Sequence, residues 1–253
     1  TAIAAIEKTD LDREYECTGS TTIDGYVLED YGSKGHGKLN LEEALVKSCN
    51  TYFADKGVLI GKDKLGEVAE RFMVNKKITF DLPTAKSTFP YKDNLGKTDI
   101  AASSIGQGKV LMTPLNMALV ASGIANKGDI VKPILVKEVI SPEGKIIKNN
   151  QTQVISRGAD IFTANEVKNM MVEGVKRGTS TNASIKNIRV AGKTGTAENP
   201  SGKTHAWFIG FAPADDPKVA VSVVLEEEGS TGGKAAAPIA RNIMIEVMNT
   251  IKN

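Results

Sequence analysis

Apolar residues recur at helical spacing through much of the first 180 positions and at strand spacing only near the end. Thr1 to Lys8 is helix-favouring, with Ile3 and Ile6 apolar. Thr9 to Asn40 is polar and carries glycines at 19, 25, 32, 35 and 37, so it reads as irregular chain with short strands. Asn40 then caps a helix with Glu42 and Glu43 in its first turn, which carries Ala44 to Val46 into the core and ends near Ser48-Cys49-Asn50. Further helices are predicted over Thr51–Ile60, closed by Gly61, and over Asp63–Phe72, where Leu65, Val68, Ala69 and Phe72 share a face. Ile78 to Lys97, with Pro83 and Pro90, reads as loop, and Ser104 to Gly108 as a tight turn.

Thr113 and Pro114 start a helix that runs from Leu115 to Asn126. A hairpin about Pro142-Glu143-Gly144 follows, then an amphipathic helix over Thr163–Lys176 capped by Thr163. Three apolar runs, 188–196, 204–212 and 218–226, are joined by short glycine- and proline-bearing links and predict an antiparallel meander. The last helix, Lys234 to Ile251, is expected to lay Ile239, Ile243, Val247 and Ile251 on that sheet. The pattern implies an α+β fold, helical mainly over 41–180 with sheet and final helix over 186–252, layered around one site.

Composition narrows this picture by exclusion. The 253 residues carry 32 basic and 30 acidic side chains, a net charge of +2, which gives no electrostatic case for nucleic acid. No run approaches the roughly 18 apolar residues that cross a bilayer. Cys17 and Cys49 read as two unpaired thiols, with a disulfide the alternative in an exported protein. His36 and His205 have no cysteine or carboxylate at local ligand spacing, so neither a metal site nor a cofactor is expected. His205, at a strand start, reads as structural, and Gln107, between two glycines, as a loop constraint. The opening helix has no room for an N-terminal cap and reads as the back half of a longer one, so a single, N-terminally incomplete domain over 1–253 is expected.

The chemistry concentrates in two short motifs. Lys193-Thr194-Gly195 at a strand offers a cation, a hydroxyl and a backbone without a side chain along one edge, which suits an extended ligand bearing a carboxylate. A phosphate-binding loop would need glycine at position 187, which is Asn. Ser48-Cys49-Asn50 sits at a helix junction. A Ser-x-Asn followed far downstream by Lys-Thr-Gly is the order found in β-lactamases and penicillin-binding proteins.

With Ser48 to Phe53, Ser104 to Gly108, Thr113 to Ala118, Ala191 to Glu198 and His205 to Pro213 taken together, nearly the whole chain resembles the transpeptidase domain of class B penicillin-binding proteins. The resemblance implies a β-lactamase/transpeptidase-like fold, with a cleft between the sheet and a helical subdomain. It implies a D,D-transpeptidase that cross-links peptidoglycan stem peptides through a serine acyl-enzyme, is inhibited by β-lactams, and is anchored at the outer face of the cytoplasmic membrane among other cell-wall synthesis proteins. Ser48, Asn50 and Lys193 would be catalytic, and Thr194, Gly195 and Thr196 would bind the substrate, with the Thr196 N–H in the oxyanion hole. The family's acylated serine stands in Ser-x-x-Lys, and no serine here has a lysine three residues on. The nucleophile is therefore expected just before Thr1 and the chain alone to be inactive. A D,D-carboxypeptidase or β-lactamase of the same fold, or a non-catalytic β-lactam sensor or scaffold, are the alternatives.

Overall fold

A computed structural model describes the backbone of residues 1–252 and the side chains of residues 1–251. The chain opens with α1 (Ala2–Glu7), whose Ile3, Ala4, Ala5 and Ile6 are all buried. Glu7 at its end takes Arg71 at 2.6 Å and Lys64 at 2.9 Å. Four short strands follow, β1 (Tyr15–Cys17), β2 (Ser20–Ile23), β3 (Tyr26–Glu29) and β4 (Gly37–Leu39). β2 and β3 form a hairpin over Asp24-Gly25, both at positive φ as a type I′ turn requires, and β1 pairs with β4.

Asn40 accepts from the Glu43 N–H at 2.9 Å and starts α2 (Leu41–Lys47). α3 (Asn50–Ile60) and α4 (Lys62–Arg71) are separated by Gly61, and α5 (Lys97–Ser104) ends at the glycine turn. No helix was expected at α5. Its apolar residues are consecutive rather than spaced, and it packs through small groups: a Cβ on Gly57 of α3 would lie 1.9 Å from Ser104 Oγ. α6 (Pro114–Ala125) is capped by Thr113, as expected. Then come β5 (Asp129–Val131), the β6 (Glu138–Ile140) and β7 (Ile146–Asn149) hairpin, and β8 (Val154–Arg157), which pairs with β5. α7 (Ile161–Arg177) starts earlier than its periodicity implied. Asp160, not Thr163, is its cap, accepting from the Thr163 N–H at 2.8 Å and the Thr163 hydroxyl at 2.9 Å.

The main sheet is the expected meander, β9 (Ala191–Ala197), β10 (His205–Ala212) and β11 (Val219–Leu225), in the order β11-β10-β9. The register pairs Gly195 with Trp207 and Lys193 with Ile209, so alternate residues divide cleanly between two faces. Phe208, Ala212, Val221 and Val223 face the last helix, α8 (Ala236–Lys252). Ala191, Ile209 and Phe211 join the core shared with α1 to α4, α6 and α7. The sheet is thus buried between two helical layers. α8 is rotated from the expected orientation. Ala236, Ala237, Ala240, Met244 and Met248 are buried, whereas Ile239, Ile243 and Ile251 are exposed. Small residues face the bulky side of the sheet and let the helix approach it. Among the described residues no helix is long and apolar enough to cross a membrane.

The Gly57–Ser104 contact is a direct test of the α3–α5 packing. Gly57→Ala should cost about 1–3 kcal/mol by overpacking, read by urea denaturation, because an added Cβ would also lie 2.4 Å from Ser104 Cβ. An unchanged midpoint would show that the two helices can separate freely.

Candidate active site

The first wall of the site is the α2–α3 junction. Ser48 ends α2 in the left-handed region (φ 57°, ψ 46°), which costs a non-glycine residue about 1–3 kcal/mol unless its surroundings hold it there. They do so through the next two residues. The Cys49 N–H donates to Ala44 O at 2.9 Å, and the Cys49 sulfur caps α3 by accepting from the Tyr52 N–H at 3.4 Å. The buried Asp30 carboxylate accepts from the Asn50 N–H through Oδ1, and from the Thr51 hydroxyl at 2.8 Å through Oδ2. A carboxylate from the loop after β3 therefore sits at the positive end of α3 and fixes where that helix begins. The Asn50 side chain donates weakly to Glu29 O at 3.4 Å.

The second wall is β9, an edge strand. Gly195 and Trp207 form a hydrogen-bonded pair with β10, which turns the N–H and C=O groups of Gly192, Thr194 and Thr196 to the free edge. The three outward carbonyls are met by side chains: Ser180 Oγ at 3.4 Å, Lys193 Nζ at 2.9 Å and Gln107 Nε2 at 3.3 Å. Gln107 thus does more than constrain its loop, because it ties the glycine turn to the strand. That turn also holds α1, since the Thr1 hydroxyl donates to Ser104 O at 2.6 Å.

Lys193 joins the walls. Its ammonium donates to Ser48 Oγ at 2.7 Å, across 145 residues of sequence. Lys193 is half-buried as a residue, yet desolvation of its ammonium pulls the pKa from 10.5 down to about 8. Among the described residues no carboxylate lies within ion-pair distance of it, so the cation is available to an incoming anion.

Ser48 and Lys193 are therefore in contact, and Asn50 begins the adjoining helix. Thr194 and Thr196 project from the opposite face of β9 to Lys193. The Thr194 hydroxyl pairs with that of Thr179 at 2.7 Å, and the Thr196 hydroxyl accepts from the Gly232 N–H at 3.4 Å. A Cβ at Gly195 would stand 3.1 Å from Trp207 Cβ, closer than an ordinary contact, so a side chain there would crowd the neighbouring strand. Asp30 and Thr179 were missed in the sequence because both act across long separations, and no local signal marks them. His205 is structural, accepting from the Glu227 N–H at 2.9 Å. Two surface concavities, one at Glu70–Lys109 and one at Val172–Val190, share no residue with this arrangement, so chemistry rather than depth identifies it.

Comparison with known proteins bears on the same residues. The model of the penicillin binding protein transpeptidase domain matches residues 1–245. The peptidoglycan D,D-transpeptidase PbpA of Mycolicibacterium smegmatis is 37% identical over 228 residues, 85% of this chain and 46% of that protein. Stage V sporulation protein D of Bacillus subtilis is 35% identical over 263 residues, 96% of this chain and 40% of that one. The chain thus spans about half the length of these relatives or less. Among solved structures, penicillin-binding protein A of M. tuberculosis as a ceftriaxone acyl-enzyme superposes with a TM-score of 0.89 at 32% identity, covering 97% of this chain and 58% of that one. The D,D-transpeptidase domain from Eggerthella lenta gives 0.90 at 31%, covering 100% and 63%. A lysine-bearing edge strand set against a Ser-x-Asn helix junction, on this fold and with these matches, places the chain in the penicillin-binding protein transpeptidase domain family.

Proposed function

We propose that this chain forms the acyl-transfer site of a D,D-transpeptidase that cross-links peptidoglycan stem peptides at the outer face of the cytoplasmic membrane. The observation that carries the reading is the 2.7 Å bond from Lys193 to Ser48, which makes one site of two distant motifs. Relatives named D,D-transpeptidases and β-lactam acyl-enzymes of the same fold support it. No Ser-x-x-Lys occurs within the 253 residues, so the acylated serine of this mechanism lies outside them.

In this mechanism the serine attacks the peptide bond between two D-alanines. The terminal D-alanine leaves, and an amine of a neighbouring strand then takes the acyl group. Lys193 draws in the terminal carboxylate. Because its ammonium donates to Ser48 Oγ, the Ser48 hydroxyl proton is free to be passed on, which suits Ser48 as a relay towards the leaving amine. Asn50 holds the substrate amide. The substrate backbone lies along β9 at Gly195, and the outward Thr196 N–H stabilises the oxyanion, a donor typically worth about 2.7–4 kcal/mol in the barrier. The hydroxyls of Thr194 and Thr196 lie on one face of the strand, where they bind the carboxylate from its far side.

Lys193 binds fewer protons when folded than unfolded between about pH 8 and 10.5. Its charge therefore lowers stability fully below about 8, and this cost is relieved as pH rises through that window. Anion capture follows the opposite course and fades as the ammonium is lost. A lysine 13Cε NMR titration should give Lys193 a midpoint near 8, and a midpoint at the usual lysine value of 10.5 would show an ordinary solvated side chain.

The complete protein should be labelled by a fluorescent penicillin at a serine outside this sequence, while the 253-residue chain is not labelled. Stoichiometric acylation of the isolated chain would overturn the placement of the nucleophile, and no labelling of the complete protein would point to a sensor or scaffold. In the complete protein, Lys193→Ala should slow acylation by at least about 100-fold while leaving melting nearly unchanged. Equal loss of both would make Lys193 structural. Release of free tetrapeptide by water, with no cross-linked product, would indicate a carboxypeptidase.

A further inference from the structure

The chain between α4 and α5 is mostly irregular, yet residues Ser87 to Phe89 are fixed at three points. The Asn75 N–H donates to Ser87 O at 2.9 Å, and the Asn75 side chain bonds both the N–H and the C=O of Phe89 at 2.9 Å. Asn75 holds a left-handed backbone (φ 63°) to do so, a conformation asparagine tolerates better than most residues. Thr88 exchanges both backbone bonds with Leu111, at 2.7 and 3.0 Å, and the Thr113 N–H donates to Ser87 Oγ at 3.0 Å. These bonds frame a preformed cavity of 440 Å³, lined by Thr88, Phe89 and Pro90 and, from just beyond the Ser104–Gly108 turn, by Lys109.

Five charged side chains line this cavity, the cations Lys86, Lys92 and Lys109 and the carboxylates Glu70 and Asp93. Lys92 and Glu70 cancel. Glu70 accepts from the Tyr91 hydroxyl at 2.7 Å and stands 3.4 Å from the Lys92 ammonium, and both hold it below the usual carboxylate range. Among the described residues, the Lys86 and Lys109 ammonium groups have neither a carboxylate within ion-pair distance nor a hydrogen bond. Two cations thus remain against one carboxylate, Asp93, a surplus of one positive charge. A single added carboxylate neutralises the cavity. A phosphate polymer would bring more negative charge than the two lysines match, beside a like charge on Asp93.

The cavity lies where an acyl donor would continue. With the terminal carboxylate at Lys193 and the reacting carbonyl at the Thr196 N–H, the rest of the donor runs on past Thr196. There it meets Gln107, which donates to Thr196 O at 3.3 Å. Lys109 is two residues beyond Gln107, at most about 7 Å of chain, the span that separates the reacting residue of a donor from the residue two places upstream. We propose that this cavity is a subsite for the stem peptide, in which Lys86 and Lys109 hold a side-chain carboxylate upstream of the D-alanine pair. Phe89 and Pro90 offer apolar surface to the methylenes that carry it. The inference rests on the acyl-transfer reading, which sets the direction of the peptide. The two lysines touch no reacting atom, so they hold ground state and transition state alike and act on KM rather than kcat.

The test compares two dye-labelled pentapeptides on the complete protein, both ending in D-Ala-D-Ala and carrying either glutamate or glutamine as the second residue. Fluorescence anisotropy should show the glutamate peptide bound about 5-fold more tightly, and its KM in transpeptidation lowered to match at equal kcat. Added salt should erode the preference. Lys86→Gln combined with Lys109→Gln, both at exposed positions and so tolerated by the fold, should bring the glutamate peptide down to the glutamine one. Equal binding of the two peptides by the parent protein, or a preference that survives the double substitution, would overturn the subsite. Fluorescent penicillin is read in parallel. Charge-selective binding without penicillin labelling would count against acyl transfer and in favour of the cavity, whereas labelling without charge selectivity would retire the cavity alone.

Discussion

A single buried carboxylate sets the geometry on which the cleft depends. Among the described residues Asp30 has no lysine or arginine partner, and it is satisfied by backbone N–H groups, a hydroxyl and two thiols at the N-terminus of α3. Its position decides that α2 must stop at Ser48 and α3 must start at Asn50. The left-handed backbone of Ser48 is a consequence: the chain reverses direction within two residues, and the strain is stored where the serine hydroxyl has to point at Lys193. Removing the Asp30 carboxylate would leave those N–H groups orphaned and relax the turn.

Lys193 shows the complementary trade. A buried ammonium without a carboxylate is unfavourable, and the depressed pKa measures that cost. Two neutral acceptors, Ser48 Oγ and Thr194 O, hold the group without neutralising it. An acidic partner would stabilise the fold and occupy the position an anionic substrate needs. Stability is given up locally, and the large core shared by the sheet and the first four helices makes this tolerable.

Much of the architecture was legible because it is locally encoded. Asn40, Thr113-Pro114 and Gly61 mark helix ends through capping chemistry, and the three apolar runs announce the meander. Errors arose where packing partners decide. Periodicity favoured the isoleucine stripe of α8, but a sheet face carrying Phe208, Val221 and Val223 admits the alanine and methionine stripe instead. α5 has no amphipathic pattern, since its contact with α3 needs only Gly57 opposite Ser104. In the site, Ser48, Asn50 and Lys193 were readable as motifs. Asp30, Thr179 and Gln107 were not, because each meets its partner 15 to 89 residues away.

The edge of β9 explains why these motifs belong on a strand at all. An exposed strand edge offers alternating donors and acceptors to any passing chain and is an aggregation liability. Here the acceptors are already occupied: Ser180, Lys193 and Gln107 meet the carbonyls of Gly192, Thr194 and Thr196. What remains on that edge are N–H groups, beside a cation and opposite a glycine that admits another backbone. An edge so biased rejects an ordinary strand, which must both donate and accept, and favours a short ligand rich in carbonyl and carboxylate oxygens. Gln107 is placed to set that bias at Thr196, the residue whose N–H the acyl-transfer mechanism uses, which gives the Ser104–Gly108 turn a reason to reach across 89 residues to the strand.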